Sequence, residues 1–303
     1  MTSAAVSEAV QVTTCPSEEL QRSWDSVIVE PEIKSKLLHH ALLAMHLRPK
    51  LPFEVTAVHG MTALIGPAGT GKTTLARGLP AEMSRALHGE PMRLIEVSAH
   101  GLMSADHGQS QQLVTELLTE YLPGLVDDGM PGVVLLDEVE SLAVARSESS
   151  LSANPVDVHR ATDAVLTAMD TLARITPQLV FVVTSNFVKG LDEAFLSRAD
   201  EVIRVPRPNE QARRKILVAV LEGFSDAFPP LGKLAEDTQL ANVAARTEGL
   251  DGRQLRKLIT RALARRPETA TDPGQLTMED LAAAADEEQA EHTDLEQTRV
   301  RAA

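Results

Sequence analysis

The chain has 303 residues, of which 43% are hydrophobic and 24% are charged, and its formal net charge is −14. A chain of this length and composition can bury a full core and is expected to form about two domains. The negative charge argues against a protein that binds nucleic acid along a basic surface. The single cysteine, Cys15, excludes an internal disulfide framework. No apolar run is long enough to span a membrane and no signal-peptide pattern is present, so we expect a cytoplasmic protein.

The first part of the chain has the pattern of an α/β domain. Residues 1–18 are small and polar and are interpreted as a flexible leader, and Pro31 then opens a helical pattern. Short apolar runs alternate with helical segments from there on, and the runs are apolar on both alternations, as in parallel strands that helices cover on both faces. These runs are Thr62–Ile65, Leu94–Val97, Val133–Leu136, Leu179–Val183 and Val202–Val205. The pattern predicts a three-layer domain with a five-stranded parallel sheet over residues 19–206.

The last third of the chain has only helical patterns. After Pro206 and Pro208 the apolar runs stop, and four helical segments follow, namely Gln211–Leu221, Leu240–Thr247, Arg253–Ala264 and Met278–Ala285. We expect a small helical lid domain over residues 207–285. Residues 286–303 are polar and mostly acidic, and they predict a frayed helix or a polar tail.

The segment directly after the first run of the predicted sheet matches a phosphate-binding P-loop. It consists of Gly66, Pro67, Ala68, Gly69, Thr70, Gly71, Lys72 and Thr73, and we add Thr74 to the predicted ATP-binding segment. The glycines allow a tight loop whose backbone N–H groups surround phosphates, and the following helix directs its N-terminus at the anion. Lys72 supplies a cation for the β- and γ-phosphates, and Thr73 offers a hydroxyl to Mg²⁺. The alternative is a glycine-rich turn that binds nothing.

A second apolar run, Val133–Leu136, ends in two carboxylates. Asp137 can hold Mg²⁺, usually through water, and Glu138 is placed to polarise the attacking water. Two acids at the end of a strand are common by themselves. Behind a P-loop, however, they predict the second half of a nucleotide-hydrolysing site.

Three further polar residues complete the predicted site. Asn186 follows the run Leu179–Val183 and could orient the attacking water, although a plain turn at the strand end is the alternative. Arg198 precedes the last run and could reach the nucleotide of a neighbouring subunit as an arginine finger. Arg253, at a helix start that Asp251 is expected to cap, could touch the γ-phosphate of its own subunit. For either arginine the alternative is a solvated surface charge.

Several segments together resemble one known family. They are Trp24–Ile28, Glu32–Leu38, the P-loop, Asp137–Arg146, Ala164–Asp170, Thr184–Asn186, Ser197–Asp200 and Glu248–Arg253. Over residues 20–265 the sequence is similar to the AAA+ ATPases of the pachytene checkpoint type. The P-loop specifies only the superfamily, whereas Asp137–Arg146 and Ser197–Asp200 are much more specific.

The resemblance implies a function that the residues alone do not. Members form hexameric rings that use ATP and Mg²⁺ to remodel HORMA-domain proteins, by pulling an N-terminal segment of the partner through the pore and opening the closed form. Bacterial relatives disassemble HORMA–nucleotidyltransferase complexes and so restrain antiphage signalling. By the same resemblance, Val27 and Ile28 lie beside the adenine. Neither membrane nor nucleic acid is an expected partner.

Two departures from the family pattern qualify this prediction. Only a short segment precedes Trp24, where eukaryotic members carry an adaptor-binding domain, so a bacterial-type member is the better match. The predicted pore loop, Ser104–Ser110, has no aromatic residue, which favours a limited pull over processive unfolding. The Ser-rich segment Arg146–Pro155 is either a second pore loop or a connection. The alternative functions are another AAA+ machine, such as a DNA-directed loader or protease-coupled unfoldase, and a nucleotide-gated scaffold with little turnover.

Overall fold

The computed structural model describes residues 4–98, 109–139, 166–187 and 193–302. Contacts between these residues divide the chain into two units. The first unit comprises Met1–Val27, Pro31–Gly66 and Lys72–Val205. The second comprises Ile28–Glu30, Pro67–Gly71 and Pro206–Ala303, so the central P-loop residues group with the C-terminal helices.

The first unit contains a six-stranded sheet with the order β1-β3-β4-β5-β2-β6. The strands are β1 (Val10–Cys15), β2 (Met61–Ile65), β3 (Met92–Val97), β4 (Gly132–Leu136), β5 (Leu179–Ser185) and β6 (Glu201–Arg204). The strands β2 to β6 pair in parallel, and they are the five predicted strands with small shifts at their ends. All residues of β2, β4 and β5 are buried, as expected for central strands of a covered parallel sheet.

The sixth strand corrects the prediction of a flexible leader over residues 1–18. The chain forms a short helix, α1 (Ala4–Glu8), and then β1, which pairs antiparallel with β3. Val6 is fully buried against the sheet core, and Cys15, at the end of β1, is 1% exposed. The composition of residues 1–18 does not indicate this strand. A half-exposed edge strand is stabilised mainly by pairing with its neighbour, and here that neighbour lies far away in the sequence.

Helices flank the sheet in the first unit. They are α2 (Glu18–Ser26), α3 (Pro31–Leu47), α4 (Phe53–Thr56), α5 (Lys72–Ala86), α6 (Gln109–Gly124, π-helical over Leu117–Tyr121), α7 (described over residues 166–175) and α8 (Glu193–Leu196). Helices α2 and α5 approach closely at Gly78, where a Cβ would lie 2.4 Å from the backbone nitrogen of Trp24. This contact fixes α5, the helix that follows the P-loop, against α2.

The second unit is helical, with one apolar core. Its helices are α9 (Glu210–Ser225), α10 (Pro230–Glu236), α11 (Leu240–Ala245), α12 (Gly252–Ala264), α13 (Pro267–Thr271) and α14 (Met278–Ala302). The core consists mainly of aliphatic side chains from α9, α11, α12 and α14, among them Leu217, Leu258 and Leu281, all fully buried.

Helix α14 runs through the segment for which the sequence predicts a frayed helix or a polar tail. Its acidic residues pair with arginines of the same unit: Asp286 with Arg246, Glu287 with Arg265, and Glu288 with Arg261. Glu288 is 4% exposed despite its charge. Part of the acidic composition that indicates a tail therefore forms ion pairs within the unit, and α14 continues to Ala302.

Within the described ranges we find no helix that combines the length and the apolar character needed to cross a membrane.

Candidate functional site

The P-loop begins at a point where only glycine is accommodated. Gly66 follows β2, and its N–H donates to the carbonyl of Ser185 at 3.2 Å. A Cβ on Gly66 would lie 2.1 Å from the carbonyl oxygen of Val205, closer than van der Waals contact allows. The loop therefore leaves the sheet between the chain segments that follow β5 and β6, at the carboxyl ends of the parallel strands, where α/β proteins place their ligands.

Lys72 is the first residue of α5 and is only 5% exposed. A buried ammonium group requires hydrogen-bond acceptors. Its Nζ donates to the carbonyl of Gly66 at 2.8 Å and to Oδ1 of Asn186 at 2.9 Å. The cation is therefore held at the base of the loop and against the end of β5.

Asp137 is held by two hydroxyl groups. Thr73 Oγ1 donates to Asp137 Oδ1 at 2.8 Å, and Thr184 Oγ1 donates to the same oxygen. Thr184 is 1% exposed and also accepts a hydrogen bond of 3.1 Å from the backbone N–H of Glu138. Sequence reasoning assigned no role to Thr184. Its place in Thr184–Asn186, one of the segments that resemble the family, was a signal that could have indicated one.

Glu138 has an unusual backbone conformation. Its φ is +51°, in the left-handed region that non-glycine residues rarely occupy. Such conformations concentrate at functional sites, where the surroundings over-determine them. Asn186 Nδ2 donates to Glu138 Oε1 at 3.4 Å, while Asn186 Oδ1 accepts from Lys72. Asn186 thus connects the carboxylate at the end of β4 with the cation of the P-loop.

The rest of the P-loop lies in the second unit, against the start of α12. Gly69 has a φ of +77°, and a Cβ there would lie 2.3 Å from the carboxylate of Asp251. Thr70 Oγ1 donates to the carbonyl of Pro67 at 3.0 Å. A Cβ on Gly252 would lie 3.2 Å from the carbonyl oxygen of Gly69. Loop and helix start are therefore in direct contact within this unit.

Asp251 caps α12, as predicted. Its side chain accepts from the backbone N–H of Arg253 at 2.8 Å and of Gln254 at 2.9 Å, and Gln254 completes a capping box. The side chain of Arg253, in the first turn, is exposed. A cation at a helix N-terminus opposes the helix dipole, so stability of α12 does not explain this choice of residue.

Three other predicted residues occupy different surroundings. Thr74 is half-buried in the first turn of α5. Val27, predicted beside the adenine, is 5% exposed and belongs to the first unit, whereas Ile28 packs partly buried against the core of the second. The chain thus passes from one unit to the other between these two residues.

Arg198 lies in the first unit and pairs with an aspartate of its own chain. Its Nε and Nη2 each donate to Asp170 at 2.7 Å. The side-chain hydrogen bonds from Arg198 are the main cause that holds the pKa of Asp170 below its usual value. The sequence did not indicate this partner.

The predicted pore segments lie largely outside the described residues. This holds for Arg146–Pro155 and for residues 104–108 of Ser104–Ser110, while Gln109 and Ser110 begin α6.

The arrangement offers oxygen ligands and a cation side by side. A threonine hydroxyl next to a carboxylate fits Mg²⁺, which is usually bound through one or two carboxylates and substrate phosphates. In the part of the chain that the structure describes, no group of three or more acidic, histidine or cysteine side chains could hold a metal alone. The Thr73 hydroxyl and the Asp137 carboxylate, with the Lys72 cation nearby, fit a Mg²⁺ ion that arrives with a phosphate ligand.

Known proteins share sequence with most of the chain. The family model for the ATPase family associated with various cellular activities (AAA) matches residues 62–207. CD-NTase-associated protein 6 of Pseudomonas aeruginosa is 45% identical over 269 residues, which cover 89% of this chain and 88% of that protein. The pachytene checkpoint protein 2 homolog of Danio rerio is 31% identical over 294 residues, which cover 89% of this chain and 69% of that protein. The chain belongs to the pachytene checkpoint family of AAA ATPases.

The fold of this AAA family member also resembles a solved structure. A chain of the HORMA:CdnC:Trip13 complex from E. coli MS115-1 superposes with a TM-score of 0.72 at 18% identity, covering 94% of this chain and 97% of that one. At this identity the likeness shows the fold alone. Together with the match to the AAA family model, it confirms the prediction of an AAA+ α/β domain followed by a helical region.

Proposed function

We propose that the chain binds ATP with Mg²⁺ and hydrolyses it. The observation that carries this proposal is the position of Asn186, hydrogen-bonded to both Lys72 and Glu138. Lys72 would contact the β- and γ-phosphates, and Glu138 would take the proton of the attacking water while Asn186 orients it. Thr73 and Asp137 would hold Mg²⁺, which supplies positive charge between the phosphates.

The remaining P-loop residues and the adenine side complete the proposed site. The backbone from Gly66 to Thr74 would surround the phosphates, with Val27 and Ile28 beside the adenine. Arg253 would reach the γ-phosphate of the same subunit. A cation at the N-terminus of α12 does not stabilise the helix, which favours a role in binding an anion.

The hydrolysis proposal is tested with Glu138→Gln. Because the Mg²⁺ ligands and Lys72 remain, ATP affinity should stay unchanged while turnover falls by about 100-fold or more. Equilibrium binding and steady-state phosphate release measure the two quantities. Glu120→Gln, which changes an exposed glutamate of α6 in the same way, serves as the control. Full turnover in Glu138→Gln would contradict the role of this residue.

We further propose that hydrolysis drives the remodelling of a HORMA-domain protein, from closed to open form, as regulation of a bacterial antiphage signalling system. The support is the 45% identity to CD-NTase-associated protein 6 along 88% of its length, together with the fold shared with a chain of the HORMA:CdnC:Trip13 complex. The active form would be a hexameric ring. In that ring Arg198 would act on the nucleotide of the neighbouring subunit.

The partner is tested by mixing Glu138→Gln protein with ATP and a closed HORMA complex and measuring particle mass by light scattering. A hexamer-sized particle that contains the HORMA protein is expected, because ATP stays bound and the substrate is not released. The matched control adds Lys72→Ala to the same variant, which should remove the particle. If a hexamer forms but does not bind the HORMA complex, the ATPase proposal stands and the proposed partner is wrong.

A further inference from the structure

Arg198 lies in a cluster of four polar side chains. It consists of His59, Asp170, Arg198 and Asp200, all in the first unit. Asp170 accepts two parallel hydrogen bonds of 2.7 Å from Arg198, and Arg198 Nη1 donates to the carbonyl of Ala194 at 2.7 Å. Two parallel N–H···O bonds fix the plane of a guanidinium group as well as its position.

Asp170 is itself held in place. It lies on α7, and its Oδ1 is 3.3 Å from Nε2 of His59. The His59 side chain is 14% exposed, and its ring stands edge-on to Phe53 with the ring centroids 4.9 Å apart. The pKa of Asp170 is lowered, chiefly by its hydrogen bonds to Arg198. The carboxylate is therefore ionised near neutral pH and has little freedom to turn away from Arg198.

Asp200 anchors the backbone of the same segment. Its carboxylate accepts from the N–H groups of His59 at 2.9 Å, Gly60 at 2.7 Å and Met61 at 3.0 Å. The N–H of Asp200 donates in turn to the carbonyl of Met61 at 2.8 Å. Since Met61 begins β2 and Gly66 follows it, the segment that carries Arg198 is tied to the strand that leads into the P-loop.

We propose that Asp170 is a positioning residue that presets the guanidinium of Arg198 for the nucleotide of the neighbouring subunit. This inference rests on the proposed function, in which Arg198 is an arginine finger. A reaction is slower when a catalytic side chain is not held in the geometry that the transition state requires. A displacement of about 1 Å can lower the rate 100-fold. Asp170, supported by His59, supplies that preparation.

A purely structural role of the ion pair is the competing explanation. The Asp170 side chain is 43% exposed and that of Arg198 is 22% exposed. Solvent screens a pair with this degree of exposure, so even with two hydrogen bonds its contribution to stability is modest. The pair should therefore matter more for the orientation of Arg198 than for holding the unit together.

The test is Asp170→Asn, alone and combined with Arg198→Ala. In asparagine an NH₂ group replaces one of the two carboxylate oxygens and cannot accept a hydrogen bond from the guanidinium. The bidentate pair is therefore lost. We expect kcat to fall by roughly 10- to 100-fold, with the KM for ATP and the melting temperature unchanged. The double variant should be no slower than Arg198→Ala alone, because Asp170 acts only through Arg198. Asp170→Glu, which keeps the charge, should recover part of the lost rate.

Asp128→Asn is the matched control, since Asp128 also accepts two hydrogen bonds from one arginine, Arg93. It should keep the wild-type kcat. A wild-type kcat in Asp170→Asn, or a further loss when Asp170→Asn is added to Arg198→Ala, would overturn the positioning role. If Arg198→Ala itself keeps full turnover, the proposed finger fails instead, so the two failures are distinguishable.

Discussion

The two ends of β2 carry different chemistry. At the carboxyl end, Gly66 leads to a cation, Lys72, and neighbouring strands add Asp137 and Asn186. At the amino end, the carboxylate of Asp200 occupies three backbone N–H groups. Under the proposed function, the carboxyl end receives phosphate and Mg²⁺, whereas the segment bonded to the amino end carries Arg198. Under the proposed function, the strand connects a subunit's own nucleotide to its contact with the next one.

The largest effect that separates the two ends is expected from Arg198→Ala. An arginine finger contributes about 1,000-fold or more to turnover, so ATP hydrolysis should nearly stop. ATP affinity of isolated subunits should not change, because the segment of Arg198 is bonded to the amino end of β2, whereas the P-loop follows its carboxyl end. Titration with a fluorescent ATP analogue and a phosphate-release assay measure both quantities. Weaker binding by a monomer would place Arg198 in its own subunit's site and break the distinction.

A smaller effect is expected at the carboxyl end from Thr184→Val. The change keeps the shape but removes the hydroxyl that bonds Asp137 and the N–H of Glu138. Loss of a group that orients a metal ligand typically costs about 10- to 100-fold, so kcat should fall within this range and the Mg²⁺ requirement should rise. A magnesium titration of turnover is the measurement.

The chain offers a matched control for this substitution. Thr176 is 3% exposed, and its buried hydroxyl has no hydrogen-bond partner among the residues that the structure describes. Thr176→Val should leave turnover unchanged and be neutral or slightly stabilising, because no bond is lost. If both valine variants reduce turnover equally, the effect of Thr184 is not specific to the metal site.

The smallest effect is expected in the second unit, at the start of α12. Asp251→Ala removes the cap of α12 and should lower the free energy of unfolding by about 1 kcal/mol. It should also weaken ATP binding a few-fold, since Asp251 lies against Gly69 of the P-loop. Urea unfolding and ATP titration are the measurements, and Asp226→Ala, at the exposed end of α9, is the control. Unchanged stability would show that the capping box is not needed.

The sequence predicted one end of β2 much better than the other. At the carboxyl end, Lys72, Thr73, Asp137, Glu138 and Asn186 belong to motifs with fixed spacing, and the structure brings them together. Motifs of this kind are recognisable because phosphate chemistry restricts residue types over a few positions. Thr184 was missed because a threonine at a strand end is common.

At the amino end only Arg198 was identified as a candidate. Asp170 ends a segment that resembles the family, but the resemblance does not pair it with Arg198, and His59 is far from both in the sequence. The strand β1 escaped detection for a related reason, since its pairing with β3 is long-range. A single sequence does not show which distant segments contact each other.

The most direct test of the central distinction mixes two inactive variants. Lys72→Ala subunits cannot bind ATP but keep Arg198, and Arg198→Ala subunits bind ATP but have no finger. If the two ends of β2 serve different nucleotides, mixed rings regain turnover, up to about a quarter of the wild-type rate for random equal mixing around a head-to-tail ring. If mixed rings form, as shown by co-purification of differently tagged subunits, and stay inactive, Arg198 does not act on a neighbour's nucleotide and the account is wrong.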